Sequence, residues 1–352
     1  MKKILTLIVA TFALITLSAC KRADIKILMP GEYIDETLVR AFEKESGKKV
    51  QITPFESNEA ALTKARTEKF DLYIPSDYMA EQMIKEDMIQ KIDWSRIPNL
   101  NRESSFPEIL NDLLLELEAD FSLLDYLVPY FWGNLGIVYN KEKVTLEQLE
   151  EAQWEIFKHK DLNIVMYDSS RDGFFVALKS LGYSANTSNE TELKEAEAWL
   201  KDMTASTKIT FLTDEILDDM LVPRYDISLT YSGDAVYLLS EQDKLGYFVP
   251  SIGSNVFVDG FVIPKEVKDI DAVYDFINFM SSYEHAKQNT LEIMYQSPRS
   301  DVYNEMIAEG SELYDYLGAY EVIRHENDEL FRYVPTAKTF MDDAWATIRA
   351  GN

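Results

Sequence analysis

Residues 24–55 read DIKILMPGEYIDETLVRAFEKESGKKVQITPF, and this stretch predicts how the chain folds. Residues 24–29 and 50–55 are short apolar runs of the kind that form buried strands. Between them a helix is predicted to begin near Asp35, because apolar residues then recur on one helical face, and to end at Gly47. A strand, a helix and a second strand in this order are typical of α/β folds with parallel sheets.

The same alternation continues along the chain. Helices are predicted between the further strands, notably at residues 190–200 and 269–280, and Met341, Trp345 and Ile348 form an apolar stripe on a C-terminal helix. The further predicted strands are residues 71–74, 128–131, 137–139, 163–167, 209–212, 227–231, 247–249 and 255–263. The predicted fold class is therefore α/β, with mixed, mainly parallel sheets flanked by helices.

The N-terminus has the layout of a secretory signal peptide. Two lysines precede an apolar run at residues 4–17, and Leu17-Ser18-Ala19-Cys20 then resembles a bacterial lipobox. The run is too short for a transmembrane helix, which needs about 20 residues. We predict a signal peptide at residues 1–19, a lipid on Cys20 and a tether at residues 20–23. This places the protein outside the cytoplasm, anchored by lipid to the outer face of the cell membrane, which is the periplasmic side in a double-membraned host.

Cys20 is the only cysteine in the chain. With its thiol used for lipidation, the folded part has neither a disulfide nor a cysteine metal site. About 330 residues remain, enough for two domains, each with its own core. Because no Gly/Ser-rich or Pro-rich linker separates them, we expect the chain to cross between the domains several times through the sheets.

The net charge of −26 excludes one class of partner. Such a surface repels nucleic acid and anionic lipid headgroups, so we expect no nucleic-acid binding and no membrane contact except through the lipid. It attracts cations, but acidity spread over a whole surface is usually a solubility trait. The positions of particular carboxylates are therefore more informative than their number.

Signatures of enzymes are missing from the sequence. His159, His285 and His325 lie in charged segments, and no two of them have the spacing of metal ligands. The chain has no nucleophile elbow, phosphate loop or dinucleotide fingerprint. Two carboxylates could hydrolyse a glycoside, but with 61 acidic residues such a pair is inevitable. We predict a protein that is not an enzyme and that needs no cofactor or metal.

Aromatic, hydroxyl and acidic residues coincide at the ends of several predicted strands, where open α/β sheets bind their ligands. Carboxylates accept hydrogen bonds from an ammonium group, and aromatic faces attract its charge and pack against its methylenes. The recurrence of these residues therefore predicts a site for a small organic cation. The segments are Gly31-Glu32-Tyr33, Pro75-Ser76-Asp77-Tyr78, Asp168-Ser169-Ser170-Arg171-Asp172, Tyr231-Ser232-Gly233-Asp234, Phe257-Val258-Asp259 and Met294-Tyr295.

At these segments the chain resembles the spermidine/putrescine-binding proteins of bacterial polyamine ABC transporters. The resemblance covers roughly residues 24–300 in the family's order, whereas the last fifty residues match poorly. The matching stretches are Gly31-Glu32-Tyr33-Ile34-Asp35, Phe55-Glu56-Ser57-Asn58-Glu59, Ile74-Pro75-Ser76-Asp77-Tyr78-Met79, Val128-Pro129-Tyr130-Phe131-Trp132-Gly133, Tyr231-Ser232-Gly233-Asp234-Ala235 and Phe261-Val262-Ile263-Pro264.

The resemblance implies a two-lobed, periplasmic-binding-protein-like (flytrap) fold with the ligand in the cleft between the lobes. Residues 24–132 and 260–298 would form lobe 1, and residues 133–259 and 299–352 would form lobe 2. The implied protein is a monomeric solute-binding lipoprotein that captures putrescine or spermidine. After the lobes close around the ligand, it delivers the ligand to the permease subunits of an ABC importer.

The resemblance also implies a role for each site residue. Asp172 would accept one terminal ammonium and Asp259 another amine, while Ser76 would supply a polar contact and Asp77 negative potential. Glu32, Tyr33 and the Ser76–Tyr78 loop would act from one lobe, and Asp172 and Tyr231 from the other. The residues implied to form an aromatic box are Tyr33, Tyr78, Tyr231, Phe257 and Tyr295.

The chain departs from the family's pattern at several positions. Pro30 stands where the family usually has a tryptophan, two residues before Glu32. Tyr231 and Phe257 replace two further tryptophans of the box. Ser169 stands where some members have a second acidic ligand, and a glutamine ligand found late in the family cannot be located here.

These departures predict a weaker site or a shorter ligand, putrescine rather than spermidine. A charge-assisted hydrogen bond contributes about 1.5–3 kcal/mol and a cation–π contact about 0.5–2 kcal/mol. Losing one acid and one tryptophan would weaken binding by roughly 2–4 kcal/mol, or two to three decades in affinity. Asp168 or Asp77 would compensate, and Arg171 is expected to pair with a neighbouring carboxylate rather than face the cleft.

Three alternatives remain open from the sequence. The first is a flytrap for another cationic or neutral solute, such as a thiamine-like compound or an amino acid, which the missing tryptophans favour. The second is a surface hydrolase with an acid pair, for which no water-activating constellation is visible. The third is a lipoprotein adhesin that has kept the fold without the transport role.

Overall fold

A computed structural model describes residues 23–118, 121–213, 215–222 and 224–350. The predicted signal peptide and the lipid-bearing Cys20 lie outside these residues, so both stay predictions. Within the described part, none of the helices combines the length and the apolar character that crossing a membrane requires.

The strands lie close to where the sequence predicts them. Their bounds are β1 Ile25–Pro30, β2 Val50–Phe55, β3 Leu72–Tyr73, β4 Leu127–Asn140, β5 Asn163–Tyr167, β6 Lys208–Leu212, β7 Ile227–Tyr231, β8 Leu245–Phe248 and β9 Val256–Val262. The main difference is β4, which joins the two strands predicted at 128–131 and 137–139 into one strand of 14 residues that is buried along its whole length. Alternating polarity does not reveal such a strand, because both of its faces are covered.

Helices fill the intervals between the strands, joined by short 3₁₀ turns. Their bounds are α1 Glu36–Ser46, α2 Asn58–Thr67, α3 Asp77–Lys85, α4 Glu108–Glu118, α5 Leu146–Ala152, α6 Ser170–Ser180, α7 Glu190–Ser206, α8 Glu215–Leu221, α9 Ser232–Glu241, α10 Ile270–Met280, α11 Tyr283–Ile293, α12 Ser300–Met306, α13 Leu317–Tyr320 and α14 Pro335–Ala350. The first helix begins and ends as predicted: Asp35 accepts the Thr37 N–H at its start, and Gly47 adopts φ 71° at its end.

The nine strands of the described part form one mixed sheet in the order β2-β1-β3-β9-β4-β7-β5-β6, with β8 also paired to β4. β1 is parallel to β2 and β3, and β5 is parallel to β6 and β7. The centre is antiparallel, because β4 runs against β7, β8 and β9. The alternation of strands and helices predicted the parallel outer parts, but not this antiparallel centre.

The long strand β4 joins two sections of the sheet. Residues 127–134 of β4 pair with β9, which continues to β3, β1 and β2; we call these strands the first section. From Leu135 onward β4 pairs instead with β7 and β8, which together with β5 and β6 form the second section. The change of partner occurs between Asn134 and Leu135.

The C-terminal helix α14 packs against α6 and α7, as its apolar stripe predicts. Met341, Trp345 and Ile348 are all buried. The Trp345 ring meets Phe211 edge to face at 5.0 Å and covers Gly173 on α6. A methyl group at Gly173 would lie only 2.2 Å from this ring.

We expect Gly173→Ala to destabilise the folded protein by about 1–3 kcal/mol, because α14 must move away from α6 to admit the methyl group. Urea denaturation followed by circular dichroism measures the loss. The matched control is Gly318→Ala in α13, where an added Cβ meets nothing within 4 Å, so stability is expected to stay the same or to rise by up to about 1 kcal/mol, because alanine favours a helix more than glycine does. Equal stability of both variants would contradict this packing.

Candidate functional site

The residues predicted for the site come from both sections and meet where the sections join. Tyr33 follows β1, and Asp77 begins α3 after β3. Asp172 lies in the first turn of α6, Tyr231 ends β7 and Asp259 lies in β9. A chain of hydrogen bonds, ring contacts and strand pairing connects the ten predicted residues, which span 263 positions of the sequence, from Tyr33 to Tyr295.

One end of the site is built around Asp259. Its Oδ2 atom accepts a hydrogen bond of 2.6 Å from the Tyr33 hydroxyl. Its Oδ1 atom is buried and has no hydrogen-bond partner among the described residues. An isolated backbone bridge joins Asp259 in β9 to Ser76, and this bridge fixes the position of the carboxyl group. A buried carboxylate oxygen without a hydrogen-bond donor costs free energy, so this position favours the binding of a group that donates a hydrogen bond.

Tyr33 is aimed at Asp259 by the turn that follows β1. Glu32 in this turn adopts φ 50°, an uncommon left-handed conformation for a side chain of this size. The backbone carbonyl of Tyr33 accepts a hydrogen bond of 2.7 Å from the Tyr130 hydroxyl, so β4 holds the turn in place.

Aromatic rings form a continuous wall from Asp259 toward Asp172. The Tyr33 and Tyr295 centroids are 5.1 Å apart, those of Tyr295 and Phe257 6.0 Å, and those of Phe257 and Tyr231 5.2 Å. All three pairs meet edge to face, the geometry that ring quadrupoles favour. Gly233 is required beside this wall, because a Cβ there would lie 2.0 Å from the Tyr295 ring.

The other end of the site is Asp172. The Tyr231 hydroxyl donates to its Oδ1 atom at 3.0 Å. Ser169, which was predicted to contact the ligand, caps α6 by accepting the Asp172 N–H at 3.3 Å and thereby sets the position of the carboxyl group. Its hydroxyl is thus engaged within the chain.

Asp77 and Ser76 tie the first section together. Asp77 accepts the N–H of Tyr78 at 2.6 Å and that of Val258 in β9 at 3.2 Å. The Ser76 hydroxyl accepts from the Asn58 side chain at 3.0 Å. Both residues are therefore anchored in the fold, and Asp77 adds a buried acidic group behind the ring of Tyr78.

Burial dominates the electrostatics of the three acids. It raises the pKa of Asp259 to about 6, although the hydrogen bond from the Tyr33 hydroxyl and the proximity of the Ser76 hydroxyl, which does not form a hydrogen bond with Oδ1, pull the pKa down. Burial likewise raises the pKa of Asp172 to about 6, although hydrogen bonds with the hydroxyls of Ser169 and Tyr231 lower it. The pKa of Asp77 is raised well above its ordinary value, again chiefly by burial. A positive charge placed among these groups would reverse such shifts.

The cation nearest to these acids in the sequence, Arg171, packs against aromatic rings. Its guanidinium carbon lies 4.3 Å from the Tyr78 centroid and 5.0 Å from the Phe331 centroid. The expected carboxylate partner is thus replaced by two ring faces. Its charge still lowers the pKa values of Asp77 and Asp172, but by less than burial raises them.

Contacts within the chain limit what two neighbouring residues can offer a ligand. Asp168, expected to replace a missing acidic ligand, accepts hydrogen bonds of 2.9 Å from Trp345 and from Arg349, so one of its carboxylate oxygens is used by α14. Tyr78 cannot offer both of its ring faces to a ligand, because Arg171 occupies one of them. Neither contact is visible in the sequence, since the partners are far apart in the chain.

Sequence reasoning missed three residues beside the site. Tyr167 lies 5.5 Å from the Tyr231 ring, and its hydroxyl donates to Asp234 at 2.8 Å. Asp234 is within one of the segments singled out above, but no role was assigned to it; its position in the first turn after β7 was the available signal. Phe331, in the poorly matching C-terminal part, covers Tyr78 and Arg171, and no local pattern predicts this.

The arrangement is chemically suited to a cation with an apolar body. Buried acids lie at the two ends, and aromatic rings connect them. Among the described residues, no three histidine, cysteine or acidic side chains are grouped so that they could hold a metal ion.

Comparison with known proteins gives consistent matches. The model of the bacterial extracellular solute-binding protein family matches residues 37–312. A spermidine/putrescine-binding periplasmic protein of Salmonella typhimurium is 30% identical, with 76% of this chain and 75% of the relative covered. These relatives are solute-binding components of transporters rather than enzymes.

Two solved structures extend the match to the fold. A Listeria monocytogenes chain described as a spermidine/putrescine ABC transporter protein is 31% identical, with a TM-score of 0.81 over 93% of this chain and 99% of that one. The spermidine/putrescine transporter substrate-binding protein of Streptococcus pneumoniae is 30% identical, with a TM-score of 0.74 over 94% and 99% of the two chains. The predicted periplasmic-binding-protein-like α/β fold is confirmed.

We expect Asp259→Asn to stabilise the ligand-free protein at pH 7.5. Because the pKa of Asp259 is raised to about 6 in the folded state, its ionised form at this pH destabilises folding by about 2–3 kcal/mol, which the amide avoids. The wild type regains this stability as the pH falls through 6, so the advantage of the variant shrinks at pH 5. Thermal unfolding at the two pH values measures both effects.

Asp35→Asn is the control, and this variant is expected to change the stability in the opposite direction. Burial raises the pKa of Asp35, but hydrogen bonds from Thr37 and Gln288 outweigh burial and lower it. The ionised Asp35 is therefore stabilising, and its amide variant is expected to melt earlier at pH 7.5. An Asp259→Asn protein that melts earlier than the wild type at this pH would contradict the prediction.

Proposed function

The chain belongs to the family of bacterial extracellular solute-binding proteins, and on this premise we propose that it captures a polyamine and delivers it to an ABC importer. The observation that carries the proposal is the Oδ1 atom of Asp259, a buried carboxylate oxygen without a donor at one end of an aromatic wall. An ammonium group supplies three donors and a positive charge at such a point. The names of the 30%-identical relatives support a polyamine as the ligand.

The proposed ligand lies along the rings, with one ammonium at Asp259 and the other at Asp172. Its methylenes pack against Tyr33, Tyr295 and Phe257, whose faces and edges exclude water from the charged ends. Tyr33 and Tyr231 orient the two carboxylates through their hydroxyl groups. Ser76, Asp77, Tyr78 and Ser169 shape the site rather than supply its main charge.

We propose a short diamine, putrescine, as the preferred ligand. Arg171 already places a positive charge beside Tyr78 and close enough to Asp172 to lower its pKa. This charge opposes a further ammonium at that end of the site. Tyr231 and Phe257 also provide weaker cation–π faces than the tryptophans they replace, and Pro30 provides none.

We also propose that the protein works as two lobes, with residues 24–132 and 260–298 in lobe 1 and residues 133–259 and 299–352 in lobe 2. The change of partner of β4 after Asn134 supports the first crossing between them. Tyr33 and the Ser76–Tyr78 loop then reach the ligand from lobe 1, and Asp172 and Tyr231 reach it from lobe 2, so a ligand that contacts both lobes favours closure. The closed, monomeric form would be the one that the permease recognises.

A lipid on Cys20 remains part of the proposal. The spacing of the apolar run and the single cysteine support it. It would hold the protein at the outer membrane surface beside its permease, and binding there involves no catalytic step.

We expect putrescine and spermidine to raise the melting temperature, with the larger shift from putrescine, and a neutral sugar to leave it unchanged. Ligand at about 100 times its Kd adds about 2.7 kcal/mol of stability. Asp259→Asn is expected to abolish the polyamine response. Thermal-shift measurements over polyamines, amino acids, thiamine and sugars test this directly.

Asp226→Asn is the matched control. Asp226 is also a buried acid, but it immediately precedes β7, at the opposite end of that strand from Tyr231, and it is hydrogen-bonded to Asn163. This variant should keep the ligand-induced shift relative to its own baseline. Stabilisation by a sugar with no response to any cation would overturn the proposal.

Affinity for putrescine is expected to fall between pH 7.5 and pH 5. The pKa of both Asp172 and Asp259 is about 6 without ligand, so protons compete with ammonium groups below that value. Each carboxylate then weakens binding by up to about tenfold at pH 5, while the amines stay protonated. Isothermal titration calorimetry at the two pH values measures the change, and an affinity that does not depend on pH would contradict the assignment of both acids to the site.

A further inference from the structure

Residues 324–338, which we call the strap, lie beyond residues 37–312 of the family match. Three ion pairs join the strap to helices that precede β4 in the chain. In each pair the acid belongs to a helix and the cation to the strap, so the two surfaces have complementary charges. The pairs are Glu116–Arg324, Glu81–Arg332 and Glu59–Lys338.

The central pair is built with more contacts than a surface ion pair. The Glu81 side chain is only 3% exposed. Its oxygens accept hydrogen bonds from Arg332 Nε at 3.1 Å and Nη2 at 3.2 Å, from the Tyr333 N–H at 2.9 Å, and from Lys85 Nζ at 2.7 Å. Burial raises the pKa of Glu81, but these donors outweigh burial and hold it below the ordinary value. Glu81 is therefore charged at neutral pH.

Phe331, the neighbour of Arg332, connects this pair to the ligand site. Its ring lies 6.1 Å from Tyr78 on α3 and 5.7 Å from Phe175 on α6, so it touches both helices that begin at the site. The guanidinium of Arg171 lies over both Phe331 and Tyr78. Glu81 is one helical turn beyond Asp77 on the same helix. A shift of Arg332 would therefore move Phe331 out of its place between α3 and α6.

We propose that Glu81 and Arg332 are positioning residues for ligand capture. They anchor the strap so that Phe331 holds α3 and α6 in the arrangement that brings Tyr78, Arg171 and Asp172 together. Neither residue contacts the ligand in this scheme, which rests on the proposed capture of a polyamine.

The chemistry of the contact fits a reversible closure. When α3 and α6 separate, Glu81 and Arg332 regain water, which offsets much of the lost attraction. An apolar contact of the same area would instead leave hydrophobic surface in water on each opening.

A double-mutant cycle on putrescine release tests the inference. Glu81→Gln and Arg332→Gln are each expected to speed dissociation by at least about tenfold, measured by stopped-flow fluorescence, since each removes the charge-assisted hydrogen bonds that anchor the strap. The double variant should be no faster than the faster single variant, because both remove the same interaction. Arg40→Gln is the control, since Arg40 pairs with Glu36 on the exposed face of α1, and release should be unchanged.

Small-angle scattering of the ligand-free protein separates this inference from the proposed function. Arg332→Gln should enlarge the radius of gyration relative to the wild type, whether or not putrescine is the ligand. A larger radius with no putrescine binding by the wild type would reject the ligand and retain the positioning role. Unchanged release and an unchanged radius would overturn the inference, as would single effects that simply add. If Arg332→Gln does not fold, Arg332→Lys replaces it, because lysine keeps the positive charge but cannot donate the two hydrogen bonds that the guanidinium makes to Glu81.

Discussion

Burying carboxyl groups with too little positive charge beside them is the constraint on which the site depends. Asp77, Asp172 and Asp259 lie where the two sections of the sheet meet, and burial raises the pKa of each. Tyrosine hydroxyls and backbone N–H groups satisfy part of their hydrogen-bonding capacity, but they bring no positive charge. The folded protein thus keeps uncompensated negative charge at one place, and the proposed ligand, with its ammonium groups, would compensate it.

The frame that keeps these acids in place is the pair of central strands. Strand β4 is buried along its whole length and pairs with β9 in one half and with β7 and β8 in the other. Asp259 is fixed by its place in β9, and Tyr231 by the end of β7. Because backbone ladders set these positions, the aromatic wall between the acids needs only edge-to-face contacts to keep its shape.

Where the strap meets α3, a buried acid is paired with cations, in contrast to the acids of the site. Glu81 is as deeply buried as the acids of the site, yet Arg332 and Lys85 hold its pKa low. One helix, α3, thus begins with an acid that lacks a full counter-charge and carries, one turn later, an acid that has two cations. The two acids of this helix therefore differ in how their burial is compensated: the pKa of Asp77 stays raised, whereas two cations hold the pKa of Glu81 low.

The sequence by itself determined the local elements and the chemistry of the site. Hydrophobic periodicity predicted the strands and α1, and the segments that follow β1 and β5 predicted Tyr33 and Asp172 for the site, because strand ends in such sheets converge on one edge. Asp259 lies within β9 instead, and its role was implied by the family resemblance. Only the tertiary structure decided which strands run antiparallel at the centre. It also decided that Asp168 accepts hydrogen bonds from Trp345 and Arg349, and that the guanidinium of Arg171 packs on two aromatic rings. Periodicity reports which side of a segment is buried. It carries no information on which segment, a hundred or more residues away, supplies the partner, and that choice also brought the strap, with Phe331 and Arg332, against Tyr78 and Glu81.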